Sequence, residues 1–117
     1  MNKLISEYKT QLEKMQAYLR EYGEKQWVDT LEAWLADINY YEQTGGGDEE
    51  LIKRNLEMVR DSLWGMSRLA DLYICPENNH KISSDVATQE KANALFMMMI
   101  NDLSGIIKRA QLAYGGK

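Results

Sequence analysis

The stretch VATQEKANALFMMMINDLSGIIKRAQLAY, Val86 to Tyr114, decides the fold. Ala92, Leu95, Met99, Leu103, Ile106, Ala110 and Ala113 recur in it at steps of 3, 4, 4, 3, 4 and 3. That spacing follows one face of an α-helix. Phe96, Ile100, Ile107 and Tyr114 form a second row beside the first, at about 100° of rotation per residue. An apolar arc this wide exceeds what a surface helix needs and predicts a helix around which the others pack. Ser83, Ser84 and Asp85 are its candidate N-caps, and Gly115 and Gly116 are expected to end it.

Three more helices read out upstream. Ile5, Tyr8, Leu12, Met15, Leu19 and Tyr22 step by 3, 4, 3, 4 and 3, a heptad-like seam with Glu, Lys, Gln and Arg between. Gly23 stands where a left-handed cap belongs, so the chain is expected to turn straight back. A second helix, from about Glu24 to Thr44, has the seam Trp27, Leu31, Trp34, Ile38 and Tyr41, with Leu35 alongside. Gly45, Gly46 and Gly47 end it. A third should start at the N-cap Asp48, bury Leu51, Ile52, Leu56, Val59 and Leu63, and stop near Trp64-Gly65. Residues 64 to 85 form an irregular link. In it Trp64 is expected buried, Asp71 capping a helix end or loop amide, and Leu69, Leu72 and Ile74 tucked under the bundle. The expectation is one all-α domain over residues 1–117, an antiparallel bundle of four main helices with an irregular link between helices 3 and 4.

Composition narrows the function classes. The net charge of −4 argues against nucleic acid and anionic membranes as partners. No window is apolar enough to span a bilayer, and Asn2-Lys3-Leu4-Ile5-Ser6-Glu7 does not read as a secretory signal, so the expected location is cytoplasmic. Cys75 is the only cysteine and His80 the only histidine, which removes an internal disulfide, cysteine metal clusters and histidine-rich zinc sites. Cys75-Pro76 breaks structure, and His80 falls in the polar run Glu77-Asn78-Asn79-His80-Lys81, without chemical partners in the sequence. No Glu-x-x-His pair points to a di-iron site. The triple glycine lacks the Lys-Ser/Thr of a phosphate loop and is followed by Asp48, Glu49 and Glu50. Catalytic residues, cofactors and metals are therefore expected to be none. Met99 reads as core, with Met97 and Met98 at the edges of the apolar arc; the three suit adaptable packing, the alternative being a plastic contact surface.

Charge distribution is the more informative signal. Between Glu24 and Glu50 the acids are Glu24, Asp29, Glu32, Asp37, Glu42, Asp48, Glu49 and Glu50, against the single base Lys25, a local charge of −7. Asp29, Glu32, Ala33, Ala36 and Tyr40 fall opposite the Trp27/Leu31/Trp34 seam, and Asp37 flanks them. Carboxylates, small residues and an aromatic on one face suit contact with a basic protein. The competing reading is a solvated acidic helix.

Trp64-Gly65-Met66 followed by Leu69-x-Asp71-Leu72 resembles the Gly-Gly-Met-Gly-Ser-Leu/Phe-Asn-Asp-Leu signature of small bacterial all-helical proteins. Asn93 adds weaker support. Here Ser67-Arg68 stands where that family tends to have Gly-Ser, and Ala70 where it tends to have Asn. Several proteins of this kind are immunity partners of secreted or contact-delivered toxins. The resemblance implies an all-helical fold, no catalytic activity, and a stoichiometric binding protein. The expected partner is a cognate toxin, basic and nuclease-like, covered by Asp29, Glu32, Ala33, Ala36, Asp37 and Tyr40. The alternative is a structural or regulatory adaptor that binds a partner helix or self-associates through its heptad seams.

Overall fold

The structure is a computed structural model and describes residues 3–114. Helix α1 spans Lys3–Glu21, α2 Gln26–Gln43, α3 Glu49–Asp61 and α4 Val86–Ala113, with single 3-10 turns at Leu69–Asp71 and Pro76–Asn78. The fold is the expected all-α bundle. Around the core α1 lies between α2 and α4, and α3 closes the ring between α2 and α4.

Cross-helix bonds give the directions. Lys9 Nζ reaches Glu42 Oε1 at 2.7 Å, and Gln16 Nε2 donates to the Val28 carbonyl at 3.1 Å, so α2 descends as α1 rises. Gln11 Nε2 donates to Met99 O at 2.9 Å and the Tyr18 hydroxyl to Ala92 O at 2.7 Å, so α4 is antiparallel to α1 as well. The α1 seam Ile5, Tyr8, Leu12, Met15 and Leu19 is wholly buried. The bundle itself occupies that seam. Gly23 (φ +76°) makes the tight reversal: its N–H bonds Arg20 O while the Glu24 N–H bonds Leu19 O.

Some boundaries and facings differ from the sequence reading. Helix α2 starts at Gln26 because Glu24 stays outside it, its carboxylate accepting the Trp27 N–H at 2.6 Å. Helix α3 stops at Asp61 rather than at Trp64-Gly65. Gly65 (φ +114°) cannot continue a helix, and the chain folds back so that Leu69 N–H reaches Ser62 O and Ala70 N–H reaches Leu63 O. On α4 the buried face lies between the two apolar rows. Ala92, Phe96, Ile100, Leu103, Ile106, Ile107 and Ala110 are inside, while Leu95 and Ala113 are exposed. Phe96 takes the central position, stacked on the Tyr18 ring at 6.4 Å. Asp48 and Asp85 cap α3 and α4 as expected, accepting from Leu51 N and Thr88 N. The expected stop at Gly115 and Gly116 lies outside the described residues.

A polar tie crosses the core. The buried Tyr8 hydroxyl donates to Asn55 Oδ1 at 2.6 Å, and Asn55 Nδ2 donates to the Trp34 carbonyl at 3.1 Å. Three helices are joined through one amide. Burial, then the nearby Asp37 charge, pushes the Tyr8 hydroxyl well above its ordinary pKa of 10.0.

Trp34 is buried on the inner face of α2. Trp34→Ala should cost roughly 3–5 kcal/mol in chemical denaturation; a change within the roughly 0.5 kcal/mol of a surface substitution would put the ring outside. Tyr8 supplies a second expectation. The unfolded chain releases the Tyr8 proton near pH 10, whereas the folded chain holds it to higher pH. Its stabilisation is therefore complete below about pH 10 and is lost as pH rises from there toward the folded value. Tyr8→Phe should show a shallower alkaline fall in unfolding free energy than the parent.

Candidate functional site: the outer face of α2 and the link

Five of the six residues expected at the partner surface share one exposed face of α2: Asp29, Glu32, Ala33, Ala36 and Tyr40. Asp29, Ala33, Ala36 and Tyr40 form a ladder at steps of 4, 3 and 4, with Glu32 one turn from Ala36. Tyr40 is 57% exposed. The face is available because α2 turns Val28, Leu31, Trp34, Leu35, Ile38 and Tyr41 inward toward α1 and α3. Asp37 does not join the other five. It is half-buried, with Oδ2 at 3.5 Å from Asn55 Nδ2, at the edge of the polar tie.

The fold also employs other acids of the 24–50 segment. Glu42 pairs with Lys9, Asp48 caps α3, and Glu50 approaches Lys53 at 3.7 Å. Among the described residues, Asp29 and Glu32 on the outer face have no ion-pair partner.

Glu24 leads to the feature the sequence concealed. His80 is not in an open polar loop. Its side chain is 1% exposed, with Nε2 at 3.0 Å from Glu24 Oε1 and Nδ1 accepting the Cys75 backbone N–H at 3.2 Å. An Nδ1 that accepts carries no proton, so Nε2–H donates to the carboxylate. Both ring nitrogens are thus committed to structure, and the Cys75 contact is through its amide. The loop is fastened further by Lys81 N–H to Tyr22 O at 2.7 Å. On the other side, Asn93 grips Ile74 twice: Oδ1 accepts the Ile74 N–H at 2.7 Å and Nδ2 donates to Ile74 O at 3.0 Å. Leu69 and Ile74 are fully buried and Leu72 partly so, as expected.

The Trp64 corner also differs from expectation. Trp64 is 48% exposed, because the loop is anchored by the buried Leu63 and Leu69 on either side and its tip faces outward. Asp71 does cap a loop amide, accepting the Ser67 N–H at 3.1 Å. A shallow groove of about 560 Å³ lies beside the α1–α2 turn, lined by Arg20, Lys25 and Lys81 together with Glu24 and Asp29. Its mixed charges select no particular ligand.

No family model, curated protein or solved structure matches this chain.

Signals for part of this site were present in the sequence. Asn55 sits on the apolar arc of α3 beside Ile52, Leu56 and Val59, where a polar residue needs a buried partner. His80 and Glu24 lie 56 positions apart, with no periodicity to connect them. His80→Ala should strand the Cys75 N–H and one Glu24 oxygen, costing roughly 1–3 kcal/mol in chemical denaturation. Parent-like stability would mean that the imidazole is dispensable to the link.

Proposed function

We propose that this chain is a stoichiometric binding protein of the bacterial immunity type, which neutralises a basic, nuclease-like toxin through the outer face of α2. The observation that carries this reading is the exposed ladder Asp29, Ala33, Ala36 and Tyr40, with Glu32 beside it and neither carboxylate ion-paired among the described residues. Ala33 and Ala36 let a partner backbone or side chain approach closely, and Tyr40 offers a large ring at low entropic cost. Asp29 and Glu32 meet the cations that would otherwise hold substrate phosphate. The reading is non-enzymatic: the imidazole of His80 and the backbone of Cys75 serve the link.

This reading also separates rate from lifetime. Charge steers encounters through a field screened over roughly 8–10 Å at physiological salt. The aromatic anchor acts after contact. Surface plasmon resonance against the protein encoded by the adjacent reading frame, at two salt concentrations, tests both. Asp29→Lys with Glu32→Lys should slow association and flatten its salt dependence. Tyr40→Ala should mainly speed dissociation, by about 2 kcal/mol or roughly thirtyfold in Kd. If the double charge reversal binds like the parent at low salt, the acidic face is only solvated surface.

A further inference from the structure

The loop from Ser62 to Leu69 is built unlike the rest of the link. Its base is closed by Leu69 N–H to Ser62 O at 2.9 Å and Ala70 N–H to Leu63 O at 2.7 Å. Leu63 and Leu69 root that base in the core, while the five residues between them are all exposed. The tip is held internally by Arg68 N–H to Gly65 O at 3.1 Å and by Asp71 Oδ2 on the Ser67 N–H. Gly65 (φ +114°) and Ser67 (φ +63°) both take left-handed backbone, unusual for a serine. The fold thus fixes a tight turn that pushes two large apolar side chains into water. Met66, 89% exposed, is the most exposed large hydrophobic residue among the described residues, and Trp64 lies two positions before it. Met58, on the last turn of α3, is also exposed, and the Ser62 hydroxyl at the loop's base donates to its carbonyl.

Charge indicates what such a knob can meet. Between Met58 and Asp71 the charged residues are Arg60, Asp61, Arg68 and Asp71, two of each sign, in a chain whose net charge is −4. Arg68 is exposed and has no carboxylate partner among the described residues, while Asp61 takes Arg60 Nε of its own chain on Oδ1 alone, at 3.2 Å. A patch of one sign, such as the outer face of α2, repels its own copy. A balanced patch with an apolar centre can face itself across a two-fold axis, the arrangement of most small homodimers. Trp and Met are suited to the centre of such a contact.

We propose that the 58–71 knob is a self-association surface, through which two copies of this chain pair about a two-fold axis with Trp64 and Met66 at the centre and Arg68 of each copy facing Asp61 of the other. This stands apart from the proposed role of α2 and does not use its residues.

Sedimentation velocity of the chain alone over a concentration series tests the proposal. The parent should pass from monomer to dimer and no further. Trp64→Ala with Met66→Ser should raise the dissociation constant about tenfold or more, with an unchanged circular dichroism spectrum. Met66→Ser alone, at a side chain already in water, should weaken pairing without a folding effect. Arg68→Glu should weaken pairing, and adding Asp61→Arg should restore it. Asp29→Lys with Glu32→Lys should leave pairing intact. A parent that stays monomeric throughout, knob variants that pair like the parent, or growth beyond a dimer would each overturn the proposal.

Discussion

Helix α3 is too short for the bundle it closes. Its 13 residues span about 20 Å, against about 27 Å for the 18 of α2 at 1.5 Å per residue. Toward the end where α1 turns into α2, the core therefore lacks its fourth wall. The link after α3 must supply it, and beyond two short 3-10 turns it has no helical hydrogen bonds to offer. It buries Leu63, Leu69 and Ile74 in place of a helix face. Its backbone amides must then find side-chain partners, since a buried unpaired amide is costly. Asn93 takes both polar groups of Ile74, and His80 takes the amide of Cys75. The buried histidine follows from helix length, and its position beside Glu24 needs no chemistry to explain it.

The Tyr8–Asn55 tie answers a different problem. Four amphipathic helices with broadly apolar faces can pack in several rotations at similar cost. A buried hydroxyl and amide that satisfy one another do so only where α1, α2 and α3 meet in one register. Rotation of α3 would leave both groups unpaired. Asp37, which the wheel placed at the flank of the outer face, stands at the edge of this tie, and its turn inward narrows the expected partner surface from six residues to five.

The helices were legible because their signals are local. Periods of three and four identify α1 to α4, and cap residues such as Gly23, Asp48 and Asp85 mark their ends to within a few positions. The exposed ladder on α2 was legible for the same reason, as the arc left over by the seam. The link was not, because its structure rests on pairs far apart in the chain, His80 with Glu24 and Ile74 with Asn93. Trp64 shows another limit. Large apolar residues are usually inside, but the rule runs one way; here the buried anchors Leu63 and Leu69, with the positive φ at Gly65 and Ser67, turn the loop outward. On α4 both apolar rows are legible, yet the core falls between them, and that placement depends on where α1 and α3 stand.

The acidic segment then acts on two length scales. Glu24, Asp37 and Asp48 bond to neutral amides or, for Glu24, also to an imidazole, and such bonds satisfy a carboxylate without cancelling its charge. Among the described residues, only Glu42 and Glu50 of the segment stand against lysines. Most of the segment's negative field thus survives folding, while Asp29 and Glu32 are its two carboxylates on the outer face of α2. A cationic partner would be drawn by the whole segment and held by Asp29, Glu32 and Tyr40. Under the proposed function, removing a structural acid such as Asp48 would slow encounter slightly while leaving the bound state intact, whereas removing Tyr40 would do the reverse. Counting acids in the sequence measures only the first of these effects.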